Sequence, residues 1–438
     1  MIVLRDVLIN NFLRISKIPR MSGNEKKISD FFVDVAKNNN LYYYQDENYN
    51  VLIKKKGNRV GDSIAFQAHL DMVCAKKNDS SHNFMTDGIE VVINDDEVTA
   101  KDTSLGADQG VGLALMLTLI EDNTINHPDL EFLFTVEEET TFKGAVSFPY
   151  DKVSSKKMIN LDYCMDNAII VAAAGDIVNE YIYEGSLSKK NLNSYKLIVE
   201  GLDGGNSGEN IENSENNAIN TLVNNLLNKK VYLKSINGGT FENDIATSCE
   251  VILQTELDLL NDFNNSNIEV ELIENDESFS IEDTDNIFNQ ILELKSGYIS
   301  KTASGNLGMI KTNDNKVVMT YLYRTTNEEE LDNFSNNKKD SFSINKLYRD
   351  RIWKLDNNSV MFKKYKETYQ KLFQKNPVEV IAQGGLEIAS IQKRIAGLDI
   401  ISIGANMKNI HTVNEITYIS SWEKLYNIII SFLNLIDE

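Results

Sequence analysis

Apolar positions near both ends of the chain follow the 3.6-residue spacing of amphipathic helices. The spacing predicts a helix over residues 4–16 and a second one from about 25 to 38, opened by a capping box at Ser22-Gly-Asn-Glu25. Residues 110–120 are apolar almost all round, which predicts a buried helix. A further helix is predicted from about Ser421, so helices begin, interrupt and end the chain.

Short apolar runs of strand length lie between these helices. Each is followed by polar residues, as in an open α/β sheet whose strand ends carry the functional site. The runs are Ser63–Ala68, Leu130–Val136, Met158–Leu161 and Leu398–Ile403. Together with the helices they predict an α/β domain built on a mixed sheet with helices on both faces.

The middle of the chain has a different composition. From about residue 178 to 350 it is more polar, with alternating strand-type runs and an acidic, Asn-rich stretch over 269–287. Because sheet-type elements flank this block on both sides, we predict a catalytic domain in two parts, 1–177 and 353–438. The segment 178–352 is then an inserted α+β lid domain.

The composition narrows the classes of partner. The 438 residues include 44 basic and 65 acidic residues, and the net charge of −21 argues against nucleic acid, which is bound by neutralising phosphates. No run approaches the roughly 18 apolar residues of a membrane helix, and the first residues lack a signal-peptide layout. Three widely separated cysteines favour a reducing compartment. We therefore predict a cytoplasmic protein with neither a nucleic-acid nor a membrane partner.

Polar clusters at the predicted strand ends carry the candidate chemistry. His69 and Asp71 share one face of a strand, so Asp71 can orient a metal-bound imidazole. The other clusters contain Asp108, Glu137-Glu-Glu139, Asp162 and His411. Imidazoles mixed with carboxylates suit Zn²⁺, Co²⁺ or Mn²⁺, with one carboxylate shared between two ions.

Each cluster also has an ordinary structural explanation. A single His-x-Asp at a strand end is usually structural, three glutamates usually form a solvated charge run, and an Asp after a strand usually forms a turn. His82 and His127 are assigned structural roles. The glycines at Gly110 and Gly112 do not directly follow a strand, which argues against a dinucleotide-binding loop.

Longer motifs around these residues resemble the Xaa-His dipeptidases. This group belongs to the cocatalytic zinc metallopeptidases that include glutamate carboxypeptidase and tripeptidase T. The motifs are Gln67–Cys74, Ser104–Gly112, Leu130–Glu139 and Ile403–Glu415, with further agreement at Ile18–Glu25, Lys366–Phe373 and Gly385–Glu387. The resemblance spans nearly the whole chain. It implies a phosphorylase/hydrolase-like catalytic domain, a lid that also dimerises the protein, and small peptides as substrates.

The resemblance also implies roles for individual residues. Asp108 would bridge two metal ions; His69 and Asp162 would complete one, and Glu139 and His411 the other. Zinc is the leading candidate for both ions, with cobalt or manganese as alternatives.

Two further residues would assist the reaction. The resemblance makes Glu138 the general base and Asp71 the residue that orients His69. It also implies a cis peptide bond between Asp108 and Gln109.

The predicted substrate side departs from the family. Asn206 stands where the family has a His that donates to the tetrahedral intermediate, and Gln383 stands where a His is frequent. Asn243 lacks the usual preceding basic residue. Asn243 itself is kept, and Arg324, Asn243 and Glu387 match family positions that hold the carboxylate and polar ends of the substrate. An Arg clamp on a free carboxylate selects short substrates.

Three functional hypotheses follow. The first is a metal-dependent dipeptidase of broad specificity, active on Xaa-His and other dipeptides. The second is a related tripeptidase or amino-acid deacylase, suggested by Asn206 and Gln383. The third is a metal-binding protein that no longer catalyses; the retained Glu138 argues against it. A homodimer is expected from the resemblance.

Overall fold

The computed structural model describes residues 3–208, 210–260, 262–263, 267–274, 279–336, 342–349 and 351–436. Its helices are α1 (Leu4–Ser16), α2 (Lys26–Asn38), α3 (Ala107–Glu121), α4 (Glu138–Thr141), α5 (Lys143–Ser147), α6 (Ala218–Leu226), α7 (Thr284–Glu293), α8 (Glu328–Asn336), α9 (Val360–Phe373), α10 (Ile388–Arg394) and α11 (Ile419–Leu435).

The strands found in the described residues divide among three sheets. They are β1 (Tyr42–Gln45), β2 (Val51–Lys55), β3 (Ile64–His69), β4 (Val91–Asn94), β5 (Glu97–Ala100), β6 (Leu130–Thr135), β7 (Lys157–Tyr163), β8 (Ala168–Ala173), β9 (Gly175–Glu184), β10 (Leu187–Lys189), β11 (Asn193–Val199), β12 (Val231–Gly238), β13 (Cys249–Thr255), β14 (Ile268–Ile273), β15 (Phe279–Ile281), β16 (Gly297–Tyr298), β17 (Ala303–Asn313), β18 (Lys316–Thr325), β19 (Ser343–Arg349), β20 (Trp353–Lys354), β21 (Val378–Ala382), β22 (Asp399–Gly404), β23 (Met407–Lys408) and β24 (Ile416–Tyr418).

The chain divides into two compact units. The first comprises Met1–Ala172, Lys354–Ile381 and Leu386–Glu438, and the second comprises Ala173–Trp353 and Ala382–Gly385. Each unit has its own buried apolar cluster.

A mixed sheet with the order β1-β2-β6-β3-β7-β22-β8-β20 organises the first unit. Its central strands β6, β3, β7 and β22 are parallel, and β1, β2 and β8 are antiparallel to their neighbours. Every residue of β3 and β6 is buried, as expected for parallel strands covered on both faces. The predicted α/β fold with a mixed sheet is confirmed.

The predicted helices of this unit are present, but one start signal was wrong. Helix α2 begins at Lys26, and its first turn receives no side-chain cap. The Ser22 hydroxyl, predicted to cap that helix, instead donates to Asp71 Oδ2 at 2.7 Å. The sequence Ser-x-x-Glu therefore marks the helix correctly but misidentifies the partner of the serine.

The second unit is built on an antiparallel sheet with the order β14-β11-β13-β12-β17-β18-β9-β19. Strand β11 shows the predicted alternation of buried and less buried residues, and α6 packs on β11, β12 and β13. Asn217 caps α6 by accepting from the backbone N–H groups of Ile219 and Asn220. In the described part of either unit, no helix combines the length and apolar character that crossing a bilayer requires.

Candidate active site

Strand register brings the predicted polar clusters of the first unit to one edge of the sheet. His69 ends β3 and pairs with Thr135, the last residue of β6. Glu138 follows β6 after a left-handed residue at Glu137 (φ 51°), and Asp162 lies near the end of β7. Because these strands are parallel, their carboxyl ends meet at this edge.

The carboxylate of Asp108 lies between two imidazoles. Its Oδ1 is 3.4 Å from Nε2 of His69, and its Oδ2 is 3.2 Å from Nε2 of His411. On the His69 side, Nε2 is 3.7 Å from Asp162 Oδ1, and on the other side Nε2 of His411 is 3.2 Å from Glu139 Oε2. One oxygen of Asp108 thus faces the side of His69 and Asp162, and the other faces the side of His411 and Glu139.

Several of these atoms are buried and lack a hydrogen bond among the described residues. They are both ring nitrogens of His69, Asp108 Oδ1 and Glu139 Oε1. Donor atoms of His69, Asp108 and Glu139 lie within 4.8 Å of one another, and so do those of His69, Glu138 and Asp162. Buried polar atoms without hydrogen-bond partners cost free energy unless a bound ligand satisfies them. The residues present therefore fit divalent cations.

The electrostatics of the cluster also favour cations. Burial opposes ionisation of Asp108, but the imidazoles of His411 and His69 hold the pKa of its carboxyl below the usual range. Although burial lowers the pKa of His69, its carboxylate neighbours, Asp108 first, raise that pKa well above the ordinary value. The site thus stabilises positive charge at the positions where cations would bind.

Glu138 is a buried carboxyl beside this cluster. Burial raises its pKa well above the ordinary value, and the charge of Asp162 raises it further. Among the like charges, Asp162 of β7 raises the pKa of Glu138 more than the adjacent Glu139 does. A bound cation would oppose this shift.

Asp71 connects the end of β3 with the start of α4. Its Oδ1 lies 3.4 Å from Nδ1 of His69 and accepts the backbone N–H of Glu138 at 3.0 Å. Its Oδ2 accepts the backbone N–H of Glu139 at 3.2 Å. One carboxylate therefore lies beside the His69 ring and also holds the backbone that carries the predicted base.

The first residues of α3 are irregular. The peptide bond between Asp108 and Gln109 is cis, as predicted. The Gln109 side chain donates to Asp162 Oδ1 at 2.5 Å, so residues on both sides of this bond contact the cluster.

Two buried residues next to the cluster lie within the sequence motifs, but the sequence predicted no role for them. Glu415 accepts backbone N–H groups from the turn that precedes Asp108, and Arg20 donates to backbone carbonyls of the same turn and of the segment after His69. One sequence signal was available: Gly106, at the start of α3, has no side chain with which to cap the helix.

A family model describing peptidase family M20/M25/M40 matches residues 65–435. The chain belongs to this family. The matched range contains every residue placed above in the metal cluster.

Individual relatives align over nearly the full length of the chain. The cytosol non-specific dipeptidase of Escherichia coli (strain K12) is 30% identical over 455 aligned positions, covering 94% of this chain and 93% of the relative. The aminoacylhistidine dipeptidase of Vibrio alginolyticus superposes with a TM-score of 0.75 at 23% identity, covering 98% of this chain and 96% of that one. Aminopeptidase PepT of Bacillus cereus superposes with a TM-score of 0.62 at 16% identity, with both chains fully covered. The two structures establish a shared fold.

In the second unit, three residues predicted to bind substrate meet around Ser207. The backbone N–H and the hydroxyl of Ser207 both donate to the Asn243 carbonyl, at 2.7 and 2.8 Å. Arg324 Nη1 donates to the Ser207 hydroxyl at 2.8 Å, and Nε lies 3.4 Å from Asp176. The side-chain amide oxygen of Asn206 accepts the N–H of Gly208 at 2.8 Å.

The fourth predicted substrate residue, Glu387, lies in the first unit and is fully buried. Its Oε1 accepts from Gln67 Nε2 and, at 2.8 Å, from the Thr135 hydroxyl. Its Oε2 has no hydrogen-bond partner in the part of the chain that is described. Burial raises the pKa of Glu387 to about 7.

Proposed function

We infer that this protein is a dipeptidase that hydrolyses the amide bond of dipeptides, Xaa-His and others, with two divalent ions. The observation that carries this inference is the placement of Asp108, with one oxygen toward His69 and the other toward His411. A carboxylate facing two imidazoles in this way is suited to a pair of neighbouring ions. The dipeptidase from Escherichia coli, aligned along 93% of its length, supports dipeptides as the substrate class.

The two ions would be held by residues of the first unit. His69, Asp108 and Asp162 would bind one, and Asp108, Glu139 and His411 the other. Imidazole combined with carboxylate suits zinc first, and cobalt or manganese as alternatives. When bound, such ions lower the pKa of a shared water and polarise the scissile carbonyl.

The protein's own groups would then move the proton. Glu138 would accept the proton of the attacking water on a carboxylate oxygen and donate it to the leaving amine. Asp71 would keep Glu138 in position through the backbone hydrogen bond at 3.0 Å. Arg324 would hold the substrate carboxylate, and the amide of Asn206 would donate to the developing oxyanion.

Hydrolysis of carnosine and Ala-His, with and without chelator, tests this function. We expect release of histidine that stops with chelator and returns with zinc. Glu138→Gln removes the proton acceptor but little volume, so kcat should fall about 10²–10⁴-fold, while zinc content stays at two ions per chain. Failure of the wild-type protein to release histidine from either dipeptide would contradict the proposal.

A second candidate, a tripeptidase or amino-acid deacylase, is favoured by Asn206, because a neutral amide replaces the expected imidazole. A panel of tripeptides and N-acylated amino acids separates the two. Preferential cleavage of dipeptides would remove this alternative.

Location and assembly complete the proposal. We place the protein in the cytoplasm, supported by its small number of widely separated cysteines, Cys74, Cys164 and Cys249. We also place a lid and a homodimer contact in the second unit. Light scattering on the purified protein should give twice the mass of one chain.

A further inference from the structure

The carboxylate of Glu415 is 3% exposed and points at backbone rather than at side chains. Its Oε2 accepts the N–H groups of Leu105 at 2.8 Å and Gly106 at 2.9 Å. Its Oε1 accepts those of Ala107 at 2.7 Å and, more weakly, Asp108 at 3.4 Å. One side chain thus binds consecutive N–H groups of the turn that carries the shared carboxylate.

These N–H groups lie at the start of helix α3, where no intrahelical acceptor exists. A local Ser, Thr, Asn or Asp usually accepts from such groups, but Gly106 occupies the capping position here. The acceptor comes instead from 307 to 310 positions further along the chain. Glu415 also lies four residues after His411, in the segment between β23 and β24. It therefore ties the segment of one imidazole to the turn of Asp108.

Arg20 holds the same turn from the other side. This guanidinium is also 3% exposed and donates to the carbonyls of Leu70 and Asp71, just after His69, and to that of Gly106. Gly106 has φ +67°, and a Cβ there would lie 2.6 Å from Arg20 Nη2. The backbone conformation favours glycine, and a Cβ at this position would also displace the Arg20 guanidinium.

We propose that Glu415 is a positioning residue that fixes Asp108 relative to His411, and thereby sets the affinity of the ion that these two residues share with Glu139. Arg20 has the corresponding role on the His69 side. This inference rests on the proposed two-metal function. Groups that orient metal ligands without touching the ion typically change metal affinity about 10–100-fold when they are replaced.

Glu415→Gln is the sharpest variant, because an amide keeps the shape and replaces one acceptor oxygen by a donor. That NH₂ would face two backbone N–H groups, so the turn must shift and move Asp108. We expect the ion held with Glu139 and His411 to bind about 10–100-fold more weakly. The ion on the His69 side, which shares Asp108, should lose less affinity because Arg20 still holds the turn there. Glu415→Asp, which keeps the charge but shortens the reach, should show the same selective loss, and it serves if the amide variant does not fold.

Glu131→Gln is the matched control. Glu131 is also a buried carboxylate, and it accepts the backbone N–H groups of Ser154 and Ser155, but it lies at the start of β6, away from the cluster. Its replacement should lower thermal stability without changing either zinc affinity. A purely structural role of Glu415 would give the same result as this control.

The measurement is calorimetric titration of zinc into the full-length, chelator-treated protein. The positioning role would be overturned if both Glu415 variants bound both zinc ions with wild-type affinity. It would also be overturned if Glu131→Gln lost as much zinc affinity as the Glu415 variants. A wild-type protein that binds fewer than two ions would instead contradict the proposed function, and this inference with it. The variants therefore test the positioning role, and the wild-type protein tests the proposed function.

Discussion

At the scale of single residues, buried carboxylates of the first unit are distinguished by their partners. Glu131 and Glu415 accept backbone N–H groups with both oxygens. Glu139 and Glu387 each keep one buried oxygen without a hydrogen bond among the described residues. Since an unsatisfied buried acceptor costs free energy, the second kind indicates a place where a ligand is expected. A raised pKa alone does not separate the two kinds, because burial also raises the pKa of Glu415.

Glu387 yields a prediction about pH. Burial raises its pKa from 4.5 to about 7, so the folded state holds the proton more tightly than the unfolded state. The wild type should therefore lose stability as pH rises from about 4.5 to 7, by roughly 3 kcal/mol at most. Glu387→Gln cannot ionise and keeps an acceptor for Gln67 and Thr135. In chelator-treated protein it should match the wild type at pH 5 and exceed its melting temperature at pH 8.

Glu131→Gln is a control for which the expected dependence of stability on pH has the opposite sign. Despite burial, Lys54 and the backbone of Ser155 lower the pKa of Glu131, so its carboxylate contributes stability above about pH 4.5 that is lost as pH falls. This variant should be less stable than the wild type at pH 8. A Glu387→Gln protein that melts below the wild type at pH 8 would show that the carboxylate form is the stable one.

The sequence largely predicted which residues meet at the cluster. It did not predict which residues hold the backbone of the cluster in place. His69, Glu138 and Asp162 each follow or end an apolar run of strand length, which is a local signal. Arg20 and Glu415 form hydrogen bonds with backbone groups that are far away in sequence. Arg20, for example, is 86 positions from Gly106. Nothing in their immediate neighbours encodes those partners.

At the scale of elements, Asp71 joins strand β3 to helix α4, and this junction yields a prediction. Asp71→Asn would turn one acceptor oxygen into a donor facing the N–H of Glu138 or Glu139. The start of α4 must then move, together with a proposed ligand and the proposed base. We expect zinc affinity and kcat to fall about 10–100-fold, measured by zinc titration and steady-state hydrolysis of Ala-His.

Ser22→Ala is the comparison for this variant. It removes the bond from the Ser22 hydroxyl to Asp71 Oδ2 but leaves both backbone hydrogen bonds of Asp71 in place. It should change zinc affinity much less. Equal effects of the two substitutions would show that the junction does not depend on the carboxylate.

The elements themselves were predicted best where periodicity is long. Helix α1 was predicted over residues 4–16 and spans Leu4–Ser16. Strand β7 was predicted as Met158–Leu161 but runs from Lys157 to Tyr163, because backbone pairing with β3 and β22 extends it past the apolar run. Strand pairing depends on neighbours distant in sequence, so strand ends are less visible locally.

At the scale of the whole molecule, each unit has a core of its own, whereas every proposed metal ligand belongs to the first unit. Ions bound to the folded state alone stabilise it, by about 4 kcal/mol for each ion present at a thousand times its dissociation constant. Removing them would also leave the carboxylates of Asp108, Asp162 and Glu139 facing one another. The energetic effect of the metal should therefore be confined to one unit.

Differential scanning calorimetry tests this confinement. We expect two transitions, of which chelator lowers only one and zinc restores it. The other should coincide with the transition of an isolated Ala173–Trp353 fragment, which contains most of the second unit and none of the proposed ligands. A single transition that moves as a whole with chelator would mean that the two cores unfold together. In that case the metal would stabilise the entire chain, and the second unit could not be treated as an independent part of the protein.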